Sequence, residues 1–224
     1  MKKLISITLL LLFSIASHAQ NDVTRFLGIP IDGSKSEMTR KLKSKGFEID
    51  ATGKFLNGQF NGNNVNLFIG TNNNKVCRIM LCDAFPLNES DVKIRFNTLC
   101  QQFENNDNYI SFDDCRIPEK ENISYEITVN KKRYEAAFYQ IPAGMDSTAI
   151  REKLQSYLST KFTEEQLSNS TEETKSQISE ATYNYLYDFF SKRPVWFMIS
   201  NDGTDYNIIM YYDNEFNRAN GEDL

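Results

Sequence analysis

Lys54-Phe55-Leu56-Asn57-Gly58-Gln59-Phe60 and Val65-Asn66-Leu67-Phe68-Ile69 are two short runs rich in apolar residues, separated by Asn61-Gly62-Asn63-Asn64. Thr71-Asn72-Asn73-Asn74 then parts the second run from a third, Lys75–Asp83. Asn and Gly tolerate the positive φ of a tight hairpin turn, so the stretch predicts a three-stranded antiparallel meander. That reading organises what lies on either side.

Upstream, Arg25–Ile31 reads as a short apolar strand. Ser34-Lys35-Ser36-Glu37 has the spacing of a capping box and opens a helix that buries Met38 and Leu42 and stops at Gly46. Downstream, Val92, Phe96, Leu99, Cys100 and Phe103 form one stripe of an amphipathic helix after Ser90. Tyr109–Phe112 reads as a strand, and Ile123–Val129 with Arg133–Ile141 as a hairpin around Asn130-Lys131-Lys132. Ile150, Leu154, Tyr157 and Leu158 mark a third helix. Ser170-Thr171-Glu172-Glu173 starts a long helix that ends before Pro194. A last hairpin pairs Val195–Ser200 with Tyr206–Tyr212 through Asn201-Asp202-Gly203. The expected class is α+β, antiparallel sheet with helices packed on one face. Ile29, Pro30, Lys41, Leu42 and Ser44 recur 112 residues later as Ile141, Pro142, Lys153, Leu154 and Ser156. This echo suggests two β-α-β-β-β modules, residues 20–140 and 141–224, packed together, after a leader at 1–19.

The leader has a positive start (Lys2, Lys3), an apolar run from Leu4 to Ile15 and the small-x-small site Ser17-His18-Ala19. Cleavage near Ala19 would give an exported protein, periplasmic or extracellular, starting at Gln20, with no membrane span expected. It takes Lys2 and Lys3 but no acid, so the formal charge falls from −5 to −7. The only histidine, His18, leaves too. The mature chain would lack imidazole, which removes Ser-His-Asp, Cys-His and histidine-ligated metal chemistry. GxSxG, Walker A, GxGxxG and HExxH are absent, and no cofactor is expected.

Four cysteines in an oxidising compartment allow three pairings. Cys100 with Cys115 is the preferred bridge, tying a helix to the strand that follows it; buried free thiols are the alternative. Without CxxC spacing, zinc is disfavoured.

Two surfaces stand out as possible partner sites. Lys35, Arg40, Lys41, Lys43 and Lys45 oppose only Glu37 on the first helix, a grip for an anionic partner or an ordinary solvated face. The acidic overall charge argues against nucleic acid. On the long helix, Ile178, Ala181, Tyr185 and Phe189 form one stripe, and Tyr183, Tyr187 and Phe190 a second. Such a helix is covered on two sides or docks a partner. Asp213, Glu215 and Asn217 have the spacing of the start of a calcium loop, but the turn glycine and closing Glu are misplaced, so a polar, frayed terminus is expected. Glu104, Asp107, Asp113 and Asp114 are the acids nearest one another in sequence, with nothing specific to mark them as a catalytic pair. Asp146-Ser147-Thr148 fits a short O-glycosylation sequon, but Asp146 or Ser147 as the N-cap of the third helix is the preferred reading.

Phe26-Leu27-Gly28-Ile29-Pro30-Ile31-Asp32-Gly33 with its helix, the Asn-rich meander, and Tyr211-Tyr212-Asp213-Asn214-Glu215-Phe216-Asn217-Arg218-Ala219-Asn220-Gly221 together resemble a group of uncharacterised exported proteins of anaerobic Gram-negative bacteria. The resemblance implies a compartment and no activity. More distantly, a helix followed by an antiparallel meander is similar to β-lactamase-inhibitor-like and outer-membrane-assembly lipoprotein (SmpA/OmlA) modules. Those are protein-binding domains, although this chain lacks their lipid-anchor cysteine. The expectation is a non-catalytic exported protein that binds a protein or glycan partner in the envelope. A glycan-binding module presenting Trp196, or a carboxylate-dependent glycan hydrolase, is the alternative.

Overall fold

The computed structural model describes residues 22–203 and 205–219. The expected leader at 1–19, its expected cleavage site and the tail from residue 220 lie outside them.

Among the described residues ten strands and six α-helices follow in chain order: β1 (Arg25–Phe26), β2 (Ile29–Pro30), α1 (Lys35–Lys43), β3 (Glu48–Ile49), β4 (Leu56–Phe60), β5 (Asn63–Asn72), β6 (Lys75–Asp83), α2 (Glu89–Glu104), β7 (Tyr109–Ile110), α3 (Ile123–Thr128), β8 (Glu135–Gln140), α4 (Ser147–Lys161), α5 (Glu164–Ser168), α6 (Glu172–Phe190), β9 (Pro194–Asp202) and β10 (Asp205–Asp213), with a 3-10 turn at Glu215–Asn217. Eight strands form one sheet in the order β3-β4-β5-β6-β10-β9-β8-β7, antiparallel throughout. The chain is α+β, with helices on one face of that sheet. Strands from both sides of residue 140 belong to it: the β9–β10 hairpin sits between β6 and β8.

The meander forms as its turns require. Asn61 (φ 51°) and Gly62 (φ 76°) join β4 to β5, and Asn73 (φ 47°) and Asn74 (φ 62°) join β5 to β6. Ser34 caps α1 by accepting from the Glu37 amide at 3.2 Å, but the Glu37 carboxylate turns to Lys41 at 2.7 Å, so the box is half made. The reciprocal box occurs at Thr163 and Gln166, opening α5. The whole α2 stripe is buried. Phe96 meets Phe197 edge-on at 5.0 Å, and Phe103 stacks on Phe138 at 4.8 Å. Beside them Asp83 accepts from Arg95 Nε at 2.9 Å and from the Ile208 amide at 3.1 Å, tying α2 to the end of β6 and to β10.

Two elements differ from expectation. Arg25–Ile31 is not one strand but a tight hairpin, β1 to β2, turning through Leu27 (φ 50°) and Gly28 (φ 79°). Ile123–Val129 is not a strand: Asn122 caps Tyr125, and Glu89 accepts from the amides of Ile123 and Ser124, which fixes the short helix α3 instead.

Candidate functional site

Side chains alternate across a strand, so each sheet residue faces either the helices or the other side. Leu67, Ile79, Met210, Phe197 and Phe138 point toward the helices and are buried. The alternate positions form a second set. Phe68 pairs with Met80, Met80 with Tyr211, Tyr211 with Trp196, and Trp196 with Ala137. Phe55 extends the row, its ring 5.3 Å from that of Phe68. The five positions in transverse register span four interstrand spacings, ~19 Å, and Phe55 lengthens the row beyond them. Every one of these side chains is partly exposed. A parallel row, Met198–Ile209–Cys82–Asn66–Asn57, lies beside it, apolar over β9, β10 and β6 and amide-rich over β5 and β4. The tertiary contacts of α1 and α2 with the sheet run from the opposite, buried face; α4 and α6 pack chiefly on each other.

The belt is stiffened at its centre. Trp196 and Tyr211 stack at 4.0 Å with planes 16° apart. The Arg78 guanidinium lies 4.7 Å from the Tyr211 centroid and 5.8 Å from that of Trp196. Asp213 holds both: it accepts from Arg78 Nη2 at 2.7 Å and from Trp196 Nε1 at 2.9 Å. Its carboxylate raises the pKa of Arg78 further, against the cost of burial. Gly70 lies opposite Arg78, and a Cβ there would come 3.2 Å from the Arg78 Cβ, so the close strand approach favours glycine.

The sequence-predicted residues scatter. Tyr183 and Tyr187 are exposed on α6 and stack on each other, with Phe112 within 5.6 and 5.9 Å; Tyr187 also meets Tyr139 at the belt margin. Phe190 does not join them: at 2% exposure it cannot touch a partner, which corrects its assignment to a docking stripe. The other stripe of α6 is covered by α4, Tyr185 stacking on Tyr157 at 4.5 Å. Lys35, Arg40 and Lys43 are exposed on α1, and Lys41 pairs with Glu37.

Cys100 and Cys115 do not form the expected bridge; all four cysteines are free thiols. Cys100 is buried in the core and Cys115 packs against that core. Burial raises both thiols, Cys100 to about 12, which disfavours the thiolate that disulfide chemistry needs. Glu104 pairs with Arg116, while Asp114 accepts from the Arg116 amide at 3.2 Å, so these acids serve local structure. Asp146 caps α4, accepting from the Ala149 amide at 2.8 Å.

The segment 213–219 is tied down and not frayed. Asn214, fully buried, donates to the Ile31 carbonyl at 2.7 Å, and Asn217 donates to Asp32 and to the Val76 carbonyl, both at 2.8 Å. Glu215 pairs with Arg218 at 2.8 Å. The carboxylates and amides read as a calcium loop are thus committed to protein partners. No group of three or more Cys, His, Asp or Glu among the described residues could hold a metal ion, and no helix among them is long and apolar enough to cross a membrane.

Comparison with protein-family models, curated proteins and solved structures returns no match for this chain.

Proposed function

We propose that this is a non-catalytic exported protein that docks another protein of the envelope or exterior on the open face of its sheet. The belt Phe55–Phe68–Met80–Tyr211–Trp196 carries the reading. It is a contiguous apolar row on a face that α1 and α2 leave uncovered, built from the residue types that dominate protein interfaces. Methionine at Met80 and Met198 adds a surface that adapts to a partner's side chains. Export rests on the Lys2–Ala19 leader pattern, and the exposed Tyr183 and Tyr187 would extend the footprint at the β8 margin.

A protein partner suits this face better than a sugar. Stacking uses one face of Trp196 and one of Tyr211 on each other, and the Arg78 and Asp213 charges that could bond hydroxyls are spent on each other. The test is cross-linked capture with tagged residues 20–224 from the native envelope, comparing wild type with Phe68→Lys and Met80→Lys, and with Lys35→Glu on the other face. A protein captured near stoichiometry by wild type and K35E but lost with both belt variants is expected. Equal capture by the belt variants, no capture, or specific retention on glycans in place of protein overturns the reading.

A further inference from the structure

On the helical side of the sheet lies a cavity of about 630 Å³, unconnected with the belt. Its walls are the β1–β2 hairpin, the last turns of α2 and the β7–β8 edge. That volume falls within the ~300–1,000 Å³ usual for small-molecule sites. The floor is apolar: Leu99, Phe103, Phe60 and the buried Tyr212, with the Phe103 and Tyr109 rings edge-on at 4.8 Å.

The walls are held rigid by side chains that act as backbone. Gln140 Oε1 accepts from the Arg25 amide and Nε2 donates to the Arg25 carbonyl, each at 2.7 Å, so one glutamine pairs the hairpin to β8 as another strand would. Arg193, 6% exposed, donates to three carbonyls: Gln140 at 3.3 Å, Asp22 at 2.9 Å and Phe189 at 3.0 Å. Its charge stays in the wall.

The charged lining residues are Asp22, Arg25 and Arg193, a net +1 on a chain of formal charge −5. Asp22 Oδ2 accepts from the Ala143 amide at 2.7 Å. The one ion pair of Arg25 among the described residues is Nε to Asp22 Oδ1 at 4.0 Å, with the Arg25 side chain 46% exposed. A cation at the mouth is therefore weakly committed. Tyr109 adds a hydroxyl to the lining beside Arg25, accepting from Gln140 Nε2 at 3.0 Å.

We infer that this cavity binds a small amphipathic carboxylate, an acyl chain or single ring on the Leu99–Phe103 floor with its anionic head at Arg25 and Tyr109. The apolar floor supplies burial, and the guanidinium and phenol supply selection for the anion.

The test is calorimetric titration of residues 20–224 with sodium octanoate, octan-1-ol and hexyltrimethylammonium as probes. Octanoate is expected to bind more tightly than octanol, and the cation not at all. Arg25→Gln should weaken octanoate by about tenfold or more while leaving octanol within about twofold. Gln102→Trp, at an exposed position of α2 on the cavity rim, should block both, with far-ultraviolet circular dichroism confirming its fold. No octanoate heat at millimolar concentration, equal affinity for octanoate and octanol, or R25Q and Q102W indistinguishable from wild type overturns the inference. None of these results bears on the belt, which lies on the opposite face.

Discussion

Arg78→Met tests whether the Arg78–Asp213–Trp196 cluster holds the belt. The Asp213 side chain is 3% exposed and that of Arg78 32%. Removing the guanidinium leaves a buried carboxylate with Trp196 Nε1 as its remaining side-chain donor. Breaking a fully buried pair from one side costs about 3–5 kcal/mol. Because a third of Arg78 is already in water and the vacated space admits solvent, about 2–4 kcal/mol is expected here. For a chain of this size that lowers Tm by roughly 5–15 °C. Trp196 is the only tryptophan, so urea unfolding followed by its fluorescence reads the cluster directly. The partner variant Asp213→Leu removes the stranded charge, and R78M/D213L should recover part of the loss, a coupling of at least about 1 kcal/mol. An R78M change under about 0.5 kcal/mol, or strictly additive variants, would refute the claim that this pair fastens the end of β10 to β6.

Three further outcomes follow from the same geometry. Gly58→Ala should cost about 1–3 kcal/mol in chemical unfolding, because its Cβ would come 2.4 Å from the Phe47 ring, and Phe47→Leu should relieve part of it; a neutral G58A would show that the ring has room to move. The Asp50 carboxylate is depressed to about 2, first by the Thr52 hydroxyl and then by the amides of Phe55, Thr52 and Lys54. Its contribution to stability is therefore complete above about 3.8 and lost as pH falls toward 2, and Thr52→Ala should move its NMR titration upward; titration at the ordinary value in wild type would contradict the loop geometry. Native Cys100 should resist iodoacetamide at pH 8 over hours and react promptly in urea, as a thiol raised to about 12 by burial must; fast native alkylation at Cys100 would mean the α2 core opens.

Elements whose local signal matched their burial were legible in the sequence. The Asn61-Gly62 and Asn73-Asn74 turns, the α2 stripe and the final hairpin stand where pattern placed them, since turn chemistry and hydrophobic period there agree with the tertiary outcome. Ile123-Ser124-Tyr125-Glu126-Ile127 satisfies both a period of two and the i, i+4 spacing of a helix, and the Glu89 contact from 34 residues away decides between them. The β1–β2 turn was hidden because leucine is no turn former; at φ 50° Leu27 takes a backbone that non-glycine residues rarely adopt. Of the site, the stripe Tyr183–Tyr187–Phe190 left open whether α6 is covered or exposed, and only the structure separates the exposed Tyr183 and Tyr187 from the buried Phe190. The cavity was not, since Arg25, Tyr109, Gln140 and Arg193 converge only through the sheet order.

The belt had a sequence signal of a different kind. A sheet with one solvated face alternates apolar and polar residues, whereas a strand covered on both faces is apolar throughout. Val195-Trp196-Phe197-Met198-Ile199 and Ile208-Ile209-Met210-Tyr211-Tyr212 are unbroken apolar runs in adjacent strands, and Ile79-Met80-Leu81-Cys82 continues the pattern into β6. The strands toward the β3 edge do not share it: β4 sends Asn57 and Gln59 outward, and β5 sends out Asn64 and Asn66 before Phe68. The sequence thus specifies two-sided burial at the centre of the sheet and solvent at its β4 end, while α1 and α2 cover only one face. Phe68, Met80, Tyr211 and Trp196 side by side carry a cost in solubility that isolated surface apolar residues do not, and nothing in the inner core requires them. The cover in trans proposed above would account both for the apolar runs and for where they stop. That limits the footprint to Phe55, β5, β6, β10, β9 and the β8 margin, so Gln59→Lys further along β4 should leave partner capture unchanged while Met80→Lys abolishes it.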